Sequence, residues 1–310
     1  MANTYQRSPL IDLENNNKTR AVAFSANGEY LTSGHCEMVR AWRVKDGEQI
    51  ATMAARRSNC LAVSKDARWI AAGTNEGVFV WDAETYEQVF TLEDKYVVGL
   101  DFSPDSTRLV SASDDHTATV WDMATPERML VRRHEDPVRA AKYAPQGDRI
   151  ATATAHSVRV WDSNDGHFLV HIQVKVTPSF NTGLLWFSNH LVVLSNNQIK
   201  QFEASTGSVV VEWPVPDANN TSSIVLPQHR QFITHSTGRT VTFWDTSTHA
   251  QLGRIQHTED ICSVALSPDD RFLAMGGRSG KTTIQSLDHI TASLRSHGIM
   301  GVSDSGHIFT

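Results

Sequence analysis

Residues 98–123 read VGLDFSPDSTRLVSASDDHTATVWDM, and they decide the fold because they hold three strands and the two turns between them. Val98 to Phe102 is apolar apart from Asp101. Ser103-Pro104-Asp105-Ser106 then reverses the chain, since proline presets φ and an aspartate can bond its own backbone. A second apolar run ends in a Ser/Asp/His turn, and Thr117-Ala118-Thr119-Val120-Trp121 offers the β-branched and aromatic residues that suit a pleated surface. The aromatic position of Trp121 recurs at Trp42, Trp81, Trp161, Phe202 and Trp244, and lapses at Ile284. The successive intervals are 39, 40, 40, 41, 42 and 40 residues. A period of ~40–45 residues belongs to propellers with four strands per blade. The spacing therefore predicts an all-β chain, a seven-bladed β-propeller of four-stranded antiparallel blades.

Seven units align on this position, with cores at 21–44, 61–83, 98–123, 139–163, 183–204, 222–246 and 262–286. The first two strands of each are nearly continuously apolar, as strands covered on both faces are. One blade cannot bury both faces alone, and stacking blades into a ring does so while leaving only short edges. No linker divides the chain, so one domain over 1–310 is expected. The seventh unit supplies three clear strands. Its fourth is expected from the N-terminal segment 9–13 or from the tail 291–310, with the N-terminal segment preferred.

The dipeptides Trp81-Asp82, Trp121-Asp122, Trp161-Asp162 and Trp244-Asp245, with Ser-Pro-Asp turns at Ser103 and Ser267, resemble those of WD40 repeats, and the resemblance spans residues 21–286. It implies the propeller fold and a non-catalytic role in protein–protein interaction. The family's usual blade also carries a His before its first strand and an Asp in its second turn, joined with a Ser and the Trp in a buried network. No unit here keeps the full set. His134 and His257 match the His position, Asp115, Ser111 and Trp121 match the other three members in the third unit, and Glu93-Asp94 stands where that unit's His belongs. Apolar packing is therefore expected to carry more of the blades' cohesion than these networks.

Composition narrows the function. A net charge of −6 and a pI near 6.1 lack the basic excess of nucleic-acid binders. No apolar run approaches the ~20 residues that span a bilayer, and Met1 to Asn17 has no signal-peptide core. The expected setting is cytoplasmic, with the nucleus as the other compartment, and the expected state is a monomer that binds neither nucleic acid nor membrane. Cys36, Cys60 and Cys262 are odd in number and lack CxxC spacing, so free thiols are expected.

Candidate chemistry is sparse. His35, His116, His156 and His235 fall in second-turn segments, but at offsets of −7, −5, −5 and −9 from the repeat position they do not superpose. No metal site is expected. No Ser sits in a Gly-x-Ser-x-Gly elbow, and Gly277-Arg278-Ser279-Gly280-Lys281 joins strands rather than opening a helix. No catalytic residue and no cofactor are expected. The WD40 subclass that serves cullin-RING ligases carries Trp-Asp-x-Arg, whereas Glu84, Ala124, Asn164 and Ser247 occupy those places here.

The leading expectation is a scaffold that docks a partner protein or peptide, possible contacts being Arg56, Arg57, Arg132, Arg133, Arg239 and Arg278. In WD40 propellers the corresponding loops line the narrower channel mouth, and arginine suits bidentate contact with carboxylate or phosphate. An acidic or phosphorylated segment is the expected ligand. The opposite face, with Asp66, Asp105, Asp122, Asp162, Asp245 and Asp270 among its turn residues, is expected to be distinctly acidic. The alternatives are a hydrolase or lyase with its site at the channel mouth, and a sensor or regulatory domain of a longer protein.

Overall fold

The computed structural model describes residues 4–5, 11–13, 18–175, 183–195, 198–215, 221–225, 232–246 and 248–288. The tail 291–310 lies outside the described residues. Two short strands come first, β1 (Thr4–Tyr5) and β2 (Ile11–Leu13). Blade 1 holds β3 (Ala21–Phe24), β4 (Tyr30–Gly34), β5 (Met38–Arg43) and β6 (Gln49–Ala54), and blade 2 holds β7 (Cys60–Val63), β8 (Trp69–Gly73), β9 (Val78–Asp82) and β10 (Gln88–Leu92). In blade 3 these are β11 (Val97–Phe102), β12 (Arg108–Ser113), β13 (Thr117–Asp122) and β14 (Arg128–Arg133), and in blade 4 β15 (Ala140–Tyr143), β16 (Arg149–Ala153), β17 (Ser157–Asp162) and β18 (Phe168–Gln173). Blade 5 comprises β19 (Leu184–Phe187), β20 (His190–Ser195), β21 (Gln198–Glu203) and β22 (Val209–Pro214). Blade 6 follows with β23 (Thr221–Val225), β24 (Phe232–Thr237), β25 (Thr240–Asp245) and β26 (Gln251–Gln256), and blade 7 with β27 (Ile261–Leu266), β28 (Phe272–Gly277) and β29 (Thr282–Ser286).

Each inner strand touches the inner strands of both neighbouring blades, β27 meeting β3, so the seven sheets form a closed ring. The seven-bladed, antiparallel architecture is the one the period predicts. Blade 7 takes its outer strand from the N-terminus: β2 pairs antiparallel with β29, Ile11 opposite Ile284 and Leu13 opposite Thr282. Blade 6 departs from four strands, because β1 adds a fifth in parallel to β26, Thr4 opposite Arg254 and Tyr5 opposite Ile255.

The apolar residues pack between blades. Trp121 lies with Trp69, Val80 and Phe102 at the boundary of blades 2 and 3, and Trp81 with Val39, Met53 and Leu61 at that of blades 1 and 2. Six of the seven repeat positions are buried, and Trp161 is half-buried. Each outer strand from β6 to β26 slips register at its second residue, leaving Ile50, Val89, Met129, Leu169, Val210 and Leu252 as the extra residue of a β-bulge. Such bulges bend and twist an edge strand, which blunts it against uncontrolled pairing.

Beside the apolar packing, buried polar networks survive in altered form. Trp42 Nε1 donates to Ser33 Oγ at 2.8 Å, and His35 Nε2 lies 2.9 Å from the same hydroxyl. His35 is therefore a buried network member rather than an exposed turn residue. In blade 3 Trp121 Nε1 donates to Ser111 Oγ at 2.9 Å, and Ser111 Oγ donates to Asp94, which fills the histidine's place. Burial raises the Asp94 carboxyl above the usual range, against hydrogen bonds from Ser111 and the Lys95 amide. Blade 4 uses a threonine, with Trp161 Nε1 and His134 Nε2 each 2.9 Å from Thr152 Oγ1. Blade 7 has Ile284 in place of the indole, and His257 instead accepts from the Glu259 amide.

Trp121→Ala is expected to cost ~3–5 kcal/mol, the range for truncating a buried tryptophan. His116→Ala should cost about 1 kcal/mol, because the half-buried imidazole forfeits its contact with the Glu135 carbonyl. Urea midpoints compare the two. A second measurement concerns acid. Burial, helped by the charge of Arg159, lowers the His134 pKa from 6.5 to about 4. Between those values the unfolded chain binds a proton that the native imidazole refuses, so stability falls as pH falls through that window. The loss between pH 7 and pH 5 should be smaller in His134→Gln.

Candidate docking face

The turns joining second to third strands, and the connections from one blade to the next, lie on one face of the ring. Around blades 1 and 2 they enclose an open depression of ≈ 1040 Å³, lined by Arg20, Glu37, Arg56, Arg57, Asn75 and Glu76 among others. Arg56 and Arg57 sit in the turn from β6 to β7. That turn is fastened to the preceding one by the Arg57 amide donating to the Cys36 carbonyl and the Ser58 amide to the His35 carbonyl. Arg57 has φ +56°, a left-handed conformation unfavourable for a residue with a Cβ. Both side chains are exposed, and neither makes an ion pair or hydrogen bond with the described residues.

Arg20 forms the inner wall. Its Nη1 donates to Asn59 Oδ1 at 3.2 Å, while its Nε is buried without a partner. Asn59 Nδ2 reaches Asn75 Oδ1 at 2.9 Å and the Val97 carbonyl at 3.1 Å, so one polar chain crosses blades 1, 2 and 3 at the start of their inner strands.

The other four arginines are placed differently. Arg132 and Arg133 belong to β14 rather than to a loop. Arg132 donates from Nε to the Gly166 carbonyl at 2.8 Å and from Nη2 to the Asp165 carbonyl at 2.7 Å, locking blade 3 onto the last turn of blade 4. A Cβ at Gly166, whose φ is +67°, would overlap this guanidinium. Arg133 is exposed. Arg239 and Arg278 flank one carboxylate, Asp260, at 3.6 and 4.0 Å. The six arginines thus do not converge; Arg56 and Arg57 remain with Arg20, which sequence reasoning missed because it precedes the first inner strand.

On the opposite face two of the turn carboxylates are withdrawn from the surface. Asp245 and Asp270 are buried. Asp66, Asp105 and Asp269 each accept from the serine two residues earlier at 2.6 Å. Amide hydrogen bonds, from Thr85 to Asp82 and from Thr125 to Asp122 foremost, hold those carboxyls below the usual range. Arginines also occupy this face: Arg108 reaches the Ser163 carbonyl at 3.0 Å and Arg149 reaches Asn189 Oδ1 at 2.5 Å, each bridging to the next blade. Among the described residues no three His, Cys, Asp or Glu side chains are grouped to hold a metal ion. His235's side chain lies outside the description. The thiols are free, and burial pushes that of Cys60 up to about 12.

The family described as "Nucleolar protein 10-like, N-terminal domain" matches residues 16–194, over half of the chain, and "WD domain, G-beta repeat" matches residues 250–284. The chain belongs to the WD-repeat β-propellers. Relatives of this WD-repeat protein include the target of rapamycin complex subunit wat1 of Schizosaccharomyces pombe, 25% identical over 70% of this chain and 74% of its own length. WD repeat-containing protein 18 of Danio rerio is 22% identical over 78% of this chain. The U3 small nucleolar RNA-associated protein 15 homolog of Xenopus tropicalis is 24% identical over 73%. This chain spans 63% and 45% of the lengths of these two relatives.

Arg132→Ala should cost about 1–3 kcal/mol, since two charged hydrogen bonds to the next blade are lost. Arg133→Ala should stay within roughly ±0.5 kcal/mol, as surface changes do. Thermal or urea unfolding separates the structural arginine from its exposed neighbour.

Proposed function

We propose that this WD-repeat propeller is a non-catalytic interaction scaffold that docks an acidic or phosphorylated segment of a partner protein in the depression at Arg20, Arg56 and Arg57. The observation that carries this reading is that Arg56 and Arg57 are exposed, adjacent and without an ion-pair partner among the described residues, above a wall that holds a third guanidinium with an unpartnered Nε. Guanidinium pairs favour planar carboxylate and phosphate ligands. Glu37 and Glu76 on the same rim would select for orientation by repelling a misplaced anion. The hydrolase or lyase alternative gains nothing from this face, where Asp114 is paired with Arg139 at 2.7 Å and Asp260 with two arginines.

The words "nucleolar protein" and "small nucleolar RNA-associated" in two matched descriptions favour a nuclear over a cytoplasmic setting. Service as one domain of a longer protein is a second reading, supported by relatives that extend well beyond the matched region. The monomeric state is part of the proposal.

Fluorescence anisotropy with a labelled peptide, one phosphoserine flanked by glutamates, tests the docking face. Saturable binding that weakens with salt is expected, with a loss of at least ~30-fold in Arg56→Glu/Arg57→Glu and under ~3-fold in Arg239→Glu/Arg278→Glu. Equal losses in the two variants, no loss in the first, or tight salt-dependent binding of duplex DNA by the wild type would overturn the assignment.

A further inference from the structure

Blade 6 is the only blade whose outer strand carries a further strand among the described residues. Four residues of β26 follow its bulge, Gly253 to Gln256, and β1 covers Arg254 and Ile255 alone. The same edge is obstructed in two other blades: in β14 the residue equivalent to Ile255 is Arg132, committed to blade 4, and β22 ends in Pro214, which has no amide to donate. β26 has no proline, and its side chains alternate, Gly253 and Ile255 buried, Arg254 and Gln256 exposed. Main-chain pairing at such an edge supplies affinity, and the alternating side chains supply selectivity.

The two N-terminal strands are held unequally. β2 is anchored by three antiparallel pairs in blade 7, whereas β1 makes two parallel pairs with a different blade. Parallel pairing is slightly weaker per residue. β1 can therefore leave β26 while β2 keeps the ring closed. What retains β1 is its tether, since five residues separate Tyr5 from Ile11 and a short linker gives an effective concentration on the order of millimolar.

We propose that the outer edge of blade 6, Gly253 to Gln256, is a strand-capture site, occupied in cis by Thr4–Tyr5 and open in trans to an extended segment of a partner protein that pairs in parallel with β26. A segment covering all four residues gains pairs that β1 does not make, which is how it displaces the tethered strand. This surface lies on the rim, away from the arginine depression, and does not depend on that reading.

The probe is a synthetic peptide of residues 1–8 of this chain. Its binding is followed through amide shifts of Gly253–Gln256 by NMR in three proteins: the full chain, a variant lacking residues 1–8, and full-length Thr4→Pro/Tyr5→Pro, which removes both β1 amides without shortening the chain. Far-UV circular dichroism establishes that each is folded. Saturable shifts centred on β26 are expected in both opened variants, with affinity at least ~10-fold weaker in the full chain because the tethered strand competes. Absence of β26 shifts in both folded, opened variants, or equal affinity in all three proteins, would overturn the proposal.

Discussion

A four-stranded sheet that is apolar on both faces cannot exist alone in water, and this constraint governs the whole molecule. Each blade buries its faces only against two others, so none is stable without neighbours and the last must meet the first. Trp81 packed on Met53 and Leu61, and Trp121 packed on Trp69 and Phe102, are the units of that dependence. The ring closes because Ile11 and Leu13 lie along blade 7, where they join Trp42 and Ile284 in one apolar cluster.

Polar contacts refine a ring that apolar burial creates. The Trp–Ser–Asp set of blade 3 and the Trp–Thr–His set of blade 4 tie the second and third strands to the connection entering the blade, the Trp–Ser–His set of blade 1 ties them to the turn between them, and all satisfy donors that burial would otherwise leave unpaired. Residues at different positions meet the same need: His35 from the second turn, and Asp94 and His134 from the connection entering the blade, each meet a hydroxyl that also receives an indole N–H. What is held constant is the need for a partner at that hydroxyl. Between blades, Arg108, Arg132 and Arg149 perform the corresponding service at the rim. Arginines used in this way are withdrawn from ligand binding, and for that reason charge counted along the sequence overstates the docking surface.

The outer edges show how the same architecture limits its own stickiness. Six outer strands carry the same bulge with an aliphatic residue at its crest, and charges or a proline guard β14 and β22. The edge of β26 is covered instead by the chain's own strand. An edge protected by a separate strand in addition to its bulge differs physically from one protected by a bulge alone, because the added strand can be withdrawn without distorting the sheet.

The blade count, the strand order within each blade and the burial of Trp42, Trp81, Trp121 and Trp244 were legible from spacing, because period and alternation are local properties of a chain. Pro9 to Leu13 could be named as an outer strand for the same reason, its apolar residues lacking any other partner. The fate of individual polar residues was not legible. That Arg132 is engaged by Gly166 while Arg57 stays unpaired among the described residues, that His35 is buried, and that Arg20 joins the depression all depend on which turn of one blade faces which strand of the next. The two-residue β1 has no sequence signature, being too short for a period, and its partner lies some 250 residues away. Sequence determined the repeating unit because each blade's pattern is written within ~40 residues; tertiary structure decided the surface, because side chains there are matched across blades that no local pattern connects.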